Sequence, residues 1–164
     1  MSPTLVQFNF GGPNTAPAAS VLGVNTLLLS AASPPTADIV ALAATVGNTG
    51  TVNVPLNGKG SFAVAISNVG AAGTITASVD TGTATLPLTL TLCQTDPVTS
   101  ACQTTDAPSV TFTVPANGTA TFGVFAAGKG QSIPFNPASS RIFVRFKDLN
   151  GETRGLTSVA VRTQ

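Results

Sequence analysis

Residues 141–147 read Arg141-Ile-Phe-Val-Arg-Phe-Lys147, and their pattern is the clearest indication of the fold class. Successive side chains of a β-strand point to opposite faces of its sheet, so alternation of apolar and polar residues predicts a half-buried strand. Ile142, Val144 and Phe146 share one face, which we expect to point between two sheets. Phe143 falls on the other face together with the basic residues.

The residues that follow predict an antiparallel hairpin. Asn150-Gly151 tolerates the positive φ angles of a tight turn, and residues 154–162 form the returning strand. No segment holds a 3.6-residue period for the length of a helix. The same alternation of period two recurs at residues 5–10, 61–67, 74–79, 85–92, 109–114 and 119–125.

Eight or more strands at this spacing predict an all-β chain with two packed antiparallel sheets. We assign the sandwich to residues 38–164. Residues 1–37, rich in Gly, Pro and Ala, are either edge strands that complete the sandwich or the remnant of an upstream domain. The apolar Leu27, Leu28 and Leu29 favour edge strands, since a large apolar patch is rarely left exposed.

The composition excludes several classes of function. The chain has no His, Trp or Tyr, which removes Ser-His-Asp catalysis and imidazole metal sites. A net charge of +1 provides no basic field for nucleic acid. No run approaches the ~20 apolar residues of a transmembrane helix. We therefore expect no nucleic-acid partner and no membrane span.

Cys93 and Cys102 flank eight residues with Asp96-Pro97 as a turn. A hairpin-like excursion would bring the two thiols within reach of a disulfide, which would indicate an oxidising compartment, extracellular or at the cell surface. A redox pair is the first alternative, but its usual CxxC spacing is absent. Zinc binding is the second, and two thiolates without His make a poor site for it.

Two segments resemble enzyme motifs, but each lacks a residue or pattern that the motif requires. Gly123-Val-Phe-Ala-Ala-Gly128-Lys129-Gly130 resembles a phosphate-binding loop, but Gly130 replaces the hydroxyl residue that holds Mg²⁺. We interpret it as a strand that runs into a Gly-rich loop. Ser61 follows Gly-Lys-Gly without the pattern of a nucleophile elbow. We identify no catalytic residue.

Asp148, Asn150 and Glu152 place three oxygen-bearing side chains at alternate positions of the hairpin. Ca²⁺ accepts such ligands but takes six to eight oxygens, of which this segment supplies about half. We keep the three residues as a candidate calcium site. The alternative is a solvated turn beside Lys147 and Arg154.

Five of the seven basic residues follow position 140. On paired strands they define a candidate binding face for an acidic polysaccharide or a partner surface. Its alternative is an ordinary solvated sheet face. The face consists of Arg141, Phe143, Arg145, Lys147 and Arg162.

Several segments together are similar to an immunoglobulin-like β-sandwich module of large alphaproteobacterial surface and secreted proteins. The resemblance covers about residues 20–164. It implies an immunoglobulin-like sandwich and a secreted context, and it brings no catalytic residues with it. The segments are residues 24–29, 38–44, 60–65, 68–70, 93–102 and 141–147.

These observations predict a non-catalytic structural or adhesive module of a secreted cell-surface protein. Its partners would be other domains of that protein or a cell-surface ligand, and it would need no cofactor except Ca²⁺ if the hairpin site is real. A calcium-dependent hydrolase of a small ester or lactone is one alternative. The other is a self-assembling filament subunit that associates through edge strands, with residues 5–10 as a donor strand.

Overall fold

Alternating apolar residues fold most of the chain into strands, as a computed structural model of residues 4–29 and 33–164 shows. A single 3₁₀ turn, Val46–Asn48, interrupts the strands of this part of the chain. The strands are β1 Thr4–Gln7, β2 Thr26–Leu29, β3 Ile39–Ala44, β4 Thr51–Val54, β5 Lys59–Asn68, β6 Gly73–Asp80, β7 Leu88–Thr95, β8 Ser109–Val114, β9 Thr119–Gly128, β10 Arg141–Asp148 and β11 Thr153–Thr163.

Two sheets hold the core between them. One has the order β4-β11-β10-β6-β8 and the other the order β3-β5-β9-β7. Phe122 of the four-stranded sheet packs against Phe112 and Phe146 of the five-stranded sheet, with ring centroids 5.1 Å and 5.6 Å apart. The predicted all-β, sandwich-like fold with antiparallel sheets is confirmed.

The β10–β11 hairpin forms as its sequence predicts. Ile142 pairs with Val159, and the turn closes with a hydrogen bond from the Asp148 amide to the Glu152 carbonyl, 3.0 Å long. Gly151 takes a φ of +81° in this turn. Phe146 is fully buried in the core, so the predicted register of β10 is right.

The structure corrects the sequence analysis in two strands. The strand predicted at residues 85–92 is Leu88–Thr95, because Pro87 has no N–H to donate to a sheet ladder. Thr51–Val54 was not predicted as a strand and pairs in parallel with β11, whereas the other strand pairs of the described chain are antiparallel.

The N-terminal residues 4–29, which we term the β1–β2 arm, form a sheet of their own. Thr4 pairs with Leu29, and the strand predicted at residues 5–10 ends at Gln7. The arm contacts the outer face of β11, where the Ser158 hydroxyl donates to the Leu22 carbonyl over 3.2 Å. The domain boundary at residue 37 stays a prediction, and residues 1–3 and 30–32 lie outside the described chain.

No helix long and apolar enough to cross a membrane occurs in the described residues.

Candidate functional site

Arg141 lies on the outer face of the five-stranded sheet, the face turned away from the other sheet, but it is buried there. Its Nε and Nη2 donate to the Ser158 hydroxyl over 3.1 Å and 2.9 Å. Nη1 donates to the Pro137 carbonyl over 2.8 Å. Burial lowers the pKa of its guanidinium. Arg141 therefore fastens the segment before β10 to β11 and is not presented to solvent.

Arg145 is paired across the sheet with Asp80 at the end of β6. Its Nε donates to Asp80 Oδ2 over 2.6 Å, and its Nη2 donates to Oδ1 over 3.2 Å. The guanidinium also lies over the ring of Phe143, 5.2 Å from its centroid. The side chain of Asp80 is 38% exposed and that of Arg145 is 20% exposed, so the pair remains accessible to a ligand.

The ion pair lines a cavity of about 630 Å³, which we term the Phe143 cavity. Its walls come from the β1–β2 arm, from the loop after β6, and from the segment before β10. Its volume falls within the roughly 300–1,000 Å³ of small-molecule sites. The lining residues are Ser20, Val21, Leu22, Asp80, Thr81, Gly82, Thr83, Ala84, Ala138, Ser139, Phe143 and Arg145.

Gly82 holds the loop after β6 close to the sheet. It takes a φ of +65°, and a Cβ at this position would lie 2.9 Å from Cε2 of Phe143. Its amide donates to Asp80 Oδ1 over 2.7 Å. A larger residue would strain the backbone and push the loop off the ring, so Gly82 fixes the depth of the cavity.

The other members of the predicted face do not line this cavity. Lys147 is half-buried farther along β10. Arg162 donates from Nε to Asn53 Oδ1 over 2.7 Å and lies 5.3 Å from the ring centroid of Phe135. The structure thus joins Phe143 and Arg145 to Asp80, a residue outside the predicted binding face.

The carboxylate of Asp148 in the hairpin is bonded to its own neighbours. Asp148 Oδ1 accepts from the amides of Asn150 and Glu152 over 2.9 Å and 3.0 Å. Asp148 Oδ2 lies 2.7 Å from Nη2 of Arg154, and the side chains are 16% and 6% exposed. Burial alone would raise the pKa of Asp148, but the bonds from Arg154, Glu152 and Asn150 outweigh it and lower the pKa.

Within the described chain, no three His, Cys, Asp or Glu side chains cluster in a way that could hold a metal ion. Arg154 donates to one oxygen of Asp148, which is one of the three predicted ligands. The calcium site at Asp148, Asn150 and Glu152 stays a prediction, and so does the hydrolase that would use it.

Cys93 and Cys102 form the predicted disulfide, with Cα atoms 5.6 Å apart. Asp96 shapes the loop between them, because Oδ1 accepts from the amides of Thr99 and Val98 over 2.8 Å and 2.9 Å. These two bonds lower the pKa of its carboxyl. The disulfide indicates a non-reducing environment.

The disulfide loop overhangs the outer face of the four-stranded sheet. Small residues form the surface of this face. A groove of about 290 Å³ lies between them and Leu42 on β3. The groove is apolar, and its one charged lining residue in the described chain is Asp96. The small residues of this face include Ala63, Ala65 and Gly123.

Comparison with protein-family models and with curated proteins gave no match for this chain. The chemistry of the site therefore has to be argued from its own side chains. The Phe143 cavity offers hydroxyls, a closed ion pair and apolar walls, which are groups that bind a ligand by hydrogen bonds and contact.

Proposed function

We propose that the chain is a non-catalytic adhesive module of a secreted cell-surface protein. The observation that carries the proposal is the Phe143 cavity, in which the Asp80–Arg145 ion pair lies among hydroxyl and apolar side chains. Loops on a rigid sheet scaffold are where proteins most often place binding residues. The cavity is built in this way, with two loops and the β1–β2 arm above β10.

The hydrogen bonds that Asp80 accepts favour a binding role over a catalytic one. Its carboxylate accepts bonds from Arg145 and from the Gly82 amide. A general base has to reach the proton that it takes from a substrate, and both oxygens of Asp80 are already directed at donors of the protein itself. The same groups suit a role in which they hold a ligand and release it unchanged.

The secreted, immunoglobulin-like part of the proposal rests on three features. The Cys93–Cys102 bond is of the kind found in secreted proteins. Two sheets that enclose an apolar core form a sandwich-like fold, the general architecture to which that module class belongs. The sequence resemblance supplies the third. The partners would be a cell-surface ligand or neighbouring domains of a larger protein.

Binding of the purified, oxidised chain to intact cells and isolated cell envelopes tests the adhesive function. Thr83→Trp fills the cavity from its exposed rim. Thr113→Trp is the matched control, because Thr113 is also exposed but pairs with Thr74, about 20 Å along β6 from Asp80. We expect saturable binding that Thr83→Trp removes and Thr113→Trp keeps. Absence of binding, or equal binding by both variants, would contradict the proposal.

A second candidate, a self-assembling subunit, is favoured by the apolar surface of the β1–β2 arm. Phe10 is 63% exposed, and Phe8, Leu27 and Leu29 are also exposed. Strand β3 forms one edge of the four-stranded sheet, and a sheet edge can pair with a strand of another chain. Light scattering decides this candidate: concentration-dependent growth that Phe8→Ser/Phe10→Ser abolishes supports it, and a constant monomer mass rules it out.

A further inference from the structure

The charges that line the Phe143 cavity cancel. Among its described lining residues, Asp80 and Arg145 are the charged ones, and they are bonded to each other. Arg141, two positions before Phe143 on the same face of β10, does not line the cavity; it is buried and donates to Ser158 and Pro137. The residues that line the cavity therefore carry no net charge to attract an ionic ligand.

An anionic ligand would meet a cost in this cavity. To bond with the Arg145 guanidinium it would have to displace Asp80 or approach that carboxylate, and two like charges at short distance repel each other. The sequence expectation of an acidic polysaccharide therefore does not suit this part of the face. A neutral ligand meets no such repulsion.

The polar groups of the cavity match a ligand that is rich in hydroxyls. A closed ion pair still presents acceptor lone pairs on its carboxylate and donor N–H groups on its guanidinium, so vicinal hydroxyls can bond to both partners at once. The side-chain hydroxyls of Ser20, Thr83 and Ser139 line the wall and make no side-chain hydrogen bond within the described chain. They are available to donate to a ligand or to accept from it.

The apolar wall completes the match. Leu22, Ala84 and Ala138 lie among the hydroxyls, and the edge of Phe143 forms part of the floor. A sugar ring has hydroxyls around its rim and C–H groups on its faces, so it needs this mixture of polar and apolar contacts. We infer that the Phe143 cavity binds an uncharged saccharide. The inference rests on the proposed adhesive function and names its ligand class.

Calorimetric titration of the oxidised chain tests the ligand class. The probes are neutral oligosaccharides (gluco-, manno- and galacto-hexaoses) and acidic ones (hexagalacturonate and an alginate hexamer), each at low and high salt. We expect at least one neutral probe to bind, with an affinity that changes by less than about twofold with salt, because no charges are paired on binding. We expect the acidic probes to bind about tenfold more weakly or not at all.

Two variants place the binding in the cavity. Thr83→Trp should weaken the neutral probe by about tenfold or more, since it fills the space that the ligand needs, while Thr113→Trp should leave the affinity unchanged. Asp80→Asn removes the counter-charge of Arg145 and should let the acidic probes bind more tightly at low salt. Unchanged melting temperatures show that the variants still fold.

The outcomes separate this inference from the adhesive function. If no neutral probe binds, or if the acidic probes bind better to the native chain, the saccharide inference is wrong. Adhesion to cells that is still lost in Thr83→Trp would then leave the adhesive function in place with another ligand. If Thr83→Trp changes neither cell adhesion nor saccharide binding, the cavity is not the binding site and both proposals fail.

Discussion

The two outer faces of the sandwich differ in what covers them. On the five-stranded sheet, Arg141 and Phe143 are buried beneath the β1–β2 arm and the loop after β6. On the four-stranded sheet, Leu42 is 70% exposed above a floor of small residues, and the disulfide loop overhangs one side of it. One face carries an ion pair and an aromatic ring under loops, and the other carries mainly small side chains and is largely open.

This difference shows what a strand pattern determines and what it does not. Alternation along β10 assigns Phe146 to the core and Phe143 to the outer face, because side chains of a strand point alternately to its two sides. Whether an outer face meets water depends on segments that come from elsewhere in the chain. Leu22 and Gly82 provide that cover, and they lie about 120 and 60 residues before Phe143, respectively.

The largest expected loss of stability comes from a substitution in β10, whose two faces can be compared directly. Phe146→Ala should lower the free energy of unfolding by about 3–5 kcal/mol, since it empties a closed core beside Phe122. Phe143→Ala should cost about 2 kcal/mol, because its ring borders an open cavity. Denaturant unfolding measures both values. Equal costs would mean that the covered outer face acts as a second core.

The disulfide is expected to have the next largest effect. Cys93→Ala/Cys102→Ala should destabilise the chain by about 2–3 kcal/mol, because the bond restricts the unfolded chain over a short loop. Circular dichroism should still report the β-fold. Mass measurement after alkylation without reduction checks the native chain, in which two modified thiols would contradict the bond.

A smaller effect is expected from Asp148, which ties the β10–β11 turn to Arg154. Asp148→Asn should cost about 1–2 kcal/mol near neutral pH, since it removes a charged acceptor from Arg154. Because folding lowers the pKa of Asp148, its carboxylate stabilises the folded chain fully above its ordinary pKa of 3.8. This stabilisation is lost as the pH falls through the lower pKa that Asp148 has in the folded chain.

Unfolding of the native chain and of Asp148→Asn should therefore be compared from pH 7 down to pH 2. We expect the difference in stability between the two chains to shrink as the pH falls below about 3.8. Asp96→Asn is the control at an exposed loop, and we expect a smaller loss of stability there. A difference between the native chain and Asp148→Asn that grows with acid would contradict the role of Asp148.

The smallest effect belongs to the open face. Leu42→Thr should change the free energy of unfolding by no more than about 0.5 kcal/mol, because the side chain is exposed and Thr keeps a high strand propensity. Thermal unfolding is sufficient to measure it. A loss above 1–2 kcal/mol would show that Leu42 is covered in solution, and the contrast between the two faces would not hold.

The sequence predicted the parts of the fold that depend on local pattern. The β10–β11 turn follows from Asn150-Gly151, and the core position of Phe146 follows from alternation. Strand β4 was missed because Thr51–Val54 is only four residues long and its partner is the distant β11. A parallel pairing between remote segments has no turn signal to mark it.

In the candidate site too, residues marked by a local pattern were named, and a residue brought in by a remote strand was missed. Phe143 and Arg145 were named from their own strand, and they line the cavity. Asp80 was missed as their partner, because the β6–β10 pairing that brings it beside Arg145 cannot be derived from either strand alone. Arg141 was expected at the surface, and its burial depends on Ser158 and Pro137.

The position of β11 constrains the order in which the chain can fold as it is synthesised or exported. The four-stranded sheet is complete once residue 128 is available, and the Cys93–Cys102 loop can close by then. In the five-stranded sheet, β11 lies between β4 and β10. Strand β4 therefore cannot form its hydrogen bonds in this sheet until residues 160–163 have been synthesised. Strands β8, β6 and β10 can pair earlier, but the five-stranded sheet is completed only after β11 has emerged.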